Sequence, residues 1–163
     1  MTYTQKLIEV EKLKDYLKSC STECTDIYEV LTTSARDISS SERASIYFYN
    51  KENNSLETYI AQGLSIKIQV HANESLAGLC ATSKKPVLEN DVDVSSHFNS
   101  SVDLENGFVT INTLCIPILD FHDNILGVLQ VLNKLPDGYS ETDEEIIVDI
   151  ANSVAEFIAR TSK

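Results

Sequence analysis

The thiols of Cys20, Cys24, Cys80 and Cys115 and the imidazoles of His71, His97 and His122 are the side chains best suited to nucleophilic or metal chemistry. Their spacing does not favour it. No CxxC pair occurs and each histidine stands alone, so no zinc-ligand pattern forms and neither a metal nor a resident cofactor is expected. Reduced, mostly buried thiols are the simple expectation. Cys20 and Cys24 lie four apart and so share one helix face, which leaves a redox-sensing pair as the alternative.

A second group of polar residues is more pointed. Residues 132–145 read LNKLPDGYSETDEE: Asn133-Lys134, a Pro-Asp-Gly turn, Tyr139, and then Asp143-Glu144. Ser140-x-x-Asp143 and Thr142-x-x-Glu145 are both capping-box patterns, and acids in a first helical turn suit the macrodipole. Capping explains YSETDEE but not the lysine at the preceding strand end. Lys134, beside a helix start that carries acids, could close a salt bridge across the turn and set the strand-to-helix angle.

The rest of the chain must position these groups. Its 163 residues suffice for one domain with a real core. With 13 basic against 25 acidic residues the net charge is −12, which opposes nucleic acid and anionic membranes as partners. No apolar run approaches a membrane span and the start lacks a signal-peptide core, so a cytoplasmic protein, or a soluble piece of one, is expected. Residues 5–38 read as helix with a break near 19–23, where poor helix formers cluster. Leu7, Val10, Leu13, Leu17, Cys20, Cys24, Ile27 and Leu31 form a narrow seam that either packs on its own domain or serves as a dimerising stalk.

Strands follow at 44–50 and 55–62 as a hairpin, then 66–70, a short helix within 73–85 ending before Pro86, and a polar stretch at 89–107 expected as a lid or long loop. A second, apolar hairpin occupies 113–121 and 125–133. Helix 141–161 carries Ile146, Ile147, Ile150, Val154, Phe157 and Ile158 as one stripe. Hairpin-linked strands with helices on one face predict an α+β protein with an antiparallel sheet.

The stretch Asn133, Lys134, Tyr139, Asp143, Glu144 resembles the NKFDE signature of cyclic-nucleotide-binding GAF domains of phosphodiesterases and adenylyl cyclases, with Tyr for Phe. SLAGLCATSKKPVLENDV, HFNSSVDLENGFVTINTLCIPI and GVLQVLNK resemble further family segments in the same order, over about residues 41–160. The resemblance implies a sheet of about six strands, with N- and C-terminal helices on one face and a short helix and lid over a ligand pocket on the other. It divides the chain into an N-terminal helical segment, 1–40, and the GAF domain, 41–163. It also implies that Lys134 and Asp143 pair structurally rather than touching ligand.

By the same resemblance, the pocket would use Ser45 near the base, Asp103, Asn106 and Thr110 from the lid, Asn99, and Gln130. The start of the 76–83 helix, at Leu76, Ala77 and Gly78, would offer backbone N–H groups to a cyclic phosphate. Ala61 and Gln62 stand where some guanine-selective members carry a stacking aromatic and an acid. The base therefore stays open between cyclic AMP and cyclic GMP. The implied function is a non-enzymatic sensor that binds a small molecule, dimerises through its terminal helices and acts on an effector domain or protein. The alternatives are a GAF domain with another ligand or none, or a GAF-fold methionine sulfoxide reductase.

Overall fold

The computed structural model describes residues 1–20, 26–61, 69–71, 75–92 and 109–161. Helices α1 (Tyr3–Ser19) and α2 (Ile27–Ile38) open the chain. Strands β1 (Arg43–Asn50), β2 (Ser55–Ala61) and β3 (Gln69–His71) follow, then helix α3 (Leu76–Ser83) and strand β4 (Val87–Glu89). Strands β5 (Thr113–Leu119) and β6 (Ile125–Leu132) and helix α4 (Glu141–Thr161) complete the order.

The six strands form one antiparallel sheet in the order β3-β2-β1-β6-β5-β4. The two apolar hairpins meet at its centre through β1 and β6, as their β-branched and aliphatic content requires. The expected strands are thus present, β3 over Gln69–His71, while residues 66–68 of its alternating pattern lie outside the described residues. The short edge strand β4 follows α3 directly. Lys84 ends α3 in the left-handed conformation at φ 57°, two residues before Pro86.

Strand alternation separates two cores. Ala44, Ile46, Leu114, Ile116, Leu129 and Val131 face α1, α2 and α4. Tyr47, Cys115 and Val128 face the other way, toward Leu76, Ala77, Cys80 and Ala81 of α3. The stripe on α4 is buried in the first core through Ile146, Ile147, Ile150, Val154 and Phe157. The N-terminal seam is filled within the chain: Val10, Leu13, Leu17, Cys20, Ile27 and Leu31 all lie in that core. Leu7 and Ile8 remain exposed.

Polar contacts fasten the terminal helices to each other. Lys14 Nζ lies 2.8 Å from Asp149 Oδ1, and the Arg160 guanidinium donates to the carbonyls of Leu17 at 2.6 Å and Lys18 at 3.0 Å. Arg160 thereby satisfies orphan carbonyls at the end of α1 from the end of α4. The terminal helices are one packed unit within the chain.

At the sheet centre, β6 approaches β1 so closely at Gly127 that an added Cβ would collide with the Tyr47 carbonyl oxygen. Gly127→Ala is expected to lower stability by about 2–3 kcal/mol through backbone displacement. A shift of the urea midpoint at unchanged slope would register it; an unchanged midpoint would refute it.

Candidate functional site

Asn133 ends β6 at φ 62°, a left-handed conformation that asparagine tolerates better than most residues. Its side chain then grips the chain just before β5. Oδ1 accepts from the amides of Ile111 at 2.7 Å and Asn112 at 3.3 Å, while Nδ2 donates to the Val109 carbonyl at 2.7 Å and to Glu42 Oε2 at 3.3 Å. Asn112 answers in kind, accepting from Lys134 N at 2.8 Å and donating to Lys134 O at 3.1 Å. Each carboxamide acts as a stand-in for a strand backbone, with both its donor and acceptor sides used.

The other side of the same turn holds the end of β4. Asn90 accepts from Tyr139 N at 2.8 Å and donates to Tyr139 O at 3.1 Å. Gly138, at φ 78°, leaves the space that Asn90 occupies, because a Cβ there would strike the Asn90 amide. Val92 N also donates to Ile111 O at 3.1 Å. Residues 133–139 therefore hold both flanks of segment 93–108 against one another.

The ion pair expected between Lys134 and Asp143 is present: Lys134 Nζ lies 2.8 and 2.7 Å from the two carboxylate oxygens. Asp143 is 2% exposed. It also accepts from Ser140 N at 2.8 Å and Ser140 Oγ at 3.1 Å, and Lys6 Nζ of α1 lies 4.0 Å away. The capping interaction and the salt bridge are thus one structure. Burial pushes the Asp143 carboxyl upward, but the hydrogen bonds from Lys134 and Ser140 outweigh it and hold the group below the usual carboxylate value. Tyr139 is buried and its hydroxyl meets Ser41 Oγ at 2.6 Å. Glu144 is half-buried, and its carboxylate has no side-chain hydrogen bond or ion pair among the described residues.

Of the expected pocket residues, Ser45, Gln130, Leu76, Ala77 and Gly78 lie on the side of the second core. Ser45, Gln130 and Cys115 are register partners across β1, β6 and β5, on the face toward α3. Ala61 pairs with Ser45 at the end of β2. Leu76, Ala77 and Gly78 are buried at the start of α3, where the N-cap Ser75 Oγ accepts from Gly78 N at 2.9 Å. One of the amides expected to meet an anion is therefore engaged by its own cap. Thr110 is buried beside the Asn133 clamp. Gln62, Asn99, Asp103, Asn106 and Cys24 lie outside the described residues.

The thiols near this face are poor nucleophiles. Burial, with a smaller push from Cys115, drives the Cys80 thiol far up. Cys115 is pushed up to about 12 by burial, against opposing hydrogen bonds from Thr113 and Gln130. Neither supplies the thiolate that sulfur chemistry requires. Asn90, Asn112 and Thr113 are the residues of this region that the sequence reading passed over. An asparagine beside a strand carries no spacing signal that separates a long-range clamp from an ordinary turn.

The GAF domain profile matches residues 23–158, and the chain belongs to the GAF domain family. Among curated relatives, the cGMP-specific 3',5'-cyclic phosphodiesterase of Drosophila sechellia is 30% identical over 89 residues, which are 55% of this chain and 7% of that enzyme. This chain thus spans only a small part of the phosphodiesterases that it matches. The GAF domain of a phosphoenolpyruvate-protein phosphotransferase from Coxiella burnetii superposes with a TM-score of 0.86 at 17% identity, covering 98% of this chain and 96% of that one. The free methionine-R-sulfoxide reductase of Neisseria meningitidis, in complex with its substrate, gives 0.82 at 11% identity, covering 96% and 90%. Those two likenesses are of fold. GAF domains are regulatory signalling and sensor modules, and among the described residues no helix is long and apolar enough to cross a membrane.

Asp143→Asn removes the charge at nearly constant shape. A fully buried pair costs about 3–5 kcal/mol to break, and with Lys134 22% exposed we expect about 2–3 kcal/mol at pH 7. A native carboxyl titrating below the unfolded value of about 3.9 adds stability above that pH and loses it as pH falls through its native value. The difference between wild type and variant should therefore shrink progressively as pH falls below about 4 in urea titrations. A difference that stays constant over that range would contradict the pairing energetics.

Proposed function

We propose that this GAF domain senses a cyclic nucleotide, cyclic AMP or cyclic GMP, and passes its occupancy to the terminal helices. The observation that carries this reading is the grip of residues 133–143. It ties both flanks of segment 93–108 to the first turn of α4, so an event over the α3 face has a stiff route to the helices. In this reading the ligand lies between α3 and the Ser45–Gln130 floor, and the family resemblance assigns further contacts to Thr110 and to Gln62, Asn99, Asp103 and Asn106, which lie outside the described residues. The partial likeness to cGMP-specific phosphodiesterases supports the choice of ligand class.

The sensor works by differential affinity: the nucleotide must bind one arrangement of α1 and α4 more tightly than another. It acts as a homodimer joined at the terminal helices and controls an effector domain or protein. The Ser75 cap on Gly78 favours a second reading, a GAF domain with a different, non-anionic ligand or none. Reductase chemistry is disfavoured at Cys80 and Cys115 by their buried, raised thiols.

Extensively dialysed protein should melt at a saturably higher temperature with one of the two nucleotides. Ligand at a hundred times its dissociation constant stabilises the fold by about 2.7 kcal/mol. The absence of a shift with either nucleotide at millimolar concentration would turn the assignment to the second reading.

A further inference from the structure

The α3-facing side of the sheet, the floor of the proposed pocket, has a hydrogen-bond direction that follows from counting protons. Thr113 shares the pocket face with Cys115, and its Oγ1 lies 2.9 Å from the Val131 carbonyl oxygen and 3.0 Å from Gln130 Nε2. The carbonyl oxygen of Val131 only accepts, whereas the hydroxyl's third neighbour, Cys115 Sγ at 3.9 Å, is farther away and can itself donate, so the single hydroxyl proton of Thr113 goes to Val131. Toward Gln130 the hydroxyl is then left with lone pairs alone. The carboxamide must turn its nitrogen to Thr113, which leaves Oε1 on the opposite branch of the amide.

Among the described residues that Oε1 has no partner, although Gln130 is only 8% exposed. The hydroxyl of Ser45, the register partner of Gln130 on β1, likewise has no side-chain partner among them and is 7% exposed. Buried polar groups are normally satisfied, so two adjacent unpaired ones facing α3 mark a place where a ligand's polar edge belongs.

We propose that Thr113 is a positioning residue that holds Gln130 with its carbonyl oxygen turned toward the ligand, so that the proposed pocket selects a ligand presenting an N–H donor beside the Ser45 hydroxyl. A free glutamine could turn either end to a ligand; here Nε2 commits one of its two hydrogens to Thr113, and the oxygen is the end left without a partner among the described residues. Naming the donor as the exocyclic amino group of a purine rests on the cyclic-nucleotide reading. The orientation of Gln130 does not. Adenine and guanine both carry such an amino group, with ring or carbonyl acceptors that the Ser45 hydroxyl can meet.

Two readouts test this separately. In ligand-free protein, the Gln130 side-chain NH2 signal, assigned by its loss in Gln130→Glu, should exchange slowly with solvent. Exchange should rise about tenfold in Thr113→Val, as expected for loss of a buried hydrogen bond, and return in Thr113→Ser. Melting temperatures confirm that both variants fold. Unchanged exchange in Thr113→Val overturns the lock, whatever the ligand. Binding is then compared for cyclic AMP against its 6-deamino analogue and cyclic GMP against cyclic IMP. Wild type should favour the amino-bearing member of the pair it binds by about tenfold, Thr113→Val should bring that ratio toward one, and Thr113→Ser should restore it. Equal ratios in wild type and Thr113→Val overturn the selection. If neither nucleotide binds while the exchange result holds, the cyclic-nucleotide reading falls and the acceptor floor stands.

Discussion

The carboxylate of Asp143 is the contact on which the rest of the arrangement depends. It sits in the first turn of α4, receives both its charge partner and its turn donors within 3.1 Å, and lies 4.0 Å from Lys6 of α1. A buried carboxylate is tolerated only when its lone pairs are filled, and here Lys134 and Ser140 fill them. Because Lys134 directly follows Asn133, the ion pair also sets the place of the Asn133 carboxamide. That carboxamide meets Val109, Ile111 and Asn112. One charge thus orders a helix start, a strand end and the return of the chain into β5.

The two faces of the sheet carry different tasks for the same reason of alternation. One is filled by aliphatic and aromatic side chains against α1, α2 and α4. The other replaces apolar contacts at its centre with Ser45, Gln130 and Thr113, a costly choice for a surface buried under a helix unless something polar is to be met there. The 133–143 network lies where the two faces share an edge and bonds to the end of β4, the start of β5 and the first turn of α4.

Much of the fold was legible because it rests on short-range pattern. The two hairpins, the α4 stripe and the break between α1 and α2 follow from periodicity and local propensity, and the Lys134–Asp143 pair follows from the resemblance of the 133–144 motif. What escaped was set by distance in the chain. Asn90 and Asn112 look like ordinary turn asparagines, and only the fold brings Asn90 to Tyr139, 49 residues away. Whether Gln130 donates or accepts depends on where Thr113 sends its proton, a fact of tertiary contact. The engagement of Gly78 by Ser75 was readable in principle as a serine N-cap, but the small residues at Ala77 and Gly78 pointed the reading to an anion instead.

Residue-resolved hydrogen exchange of wild type and Lys134→Met tests the central coupling most directly. If Asp143, Lys134 and Asn133 act as one network, removing the Lys134 charge should loosen the amides of Ile111 and Asn112 together with that of Ser140, and by similar opening free energies. Loosening confined to Ser140 and the first turn of α4, with Ile111 and Asn112 unchanged, would show that the ion pair caps a helix and carries nothing to the pocket.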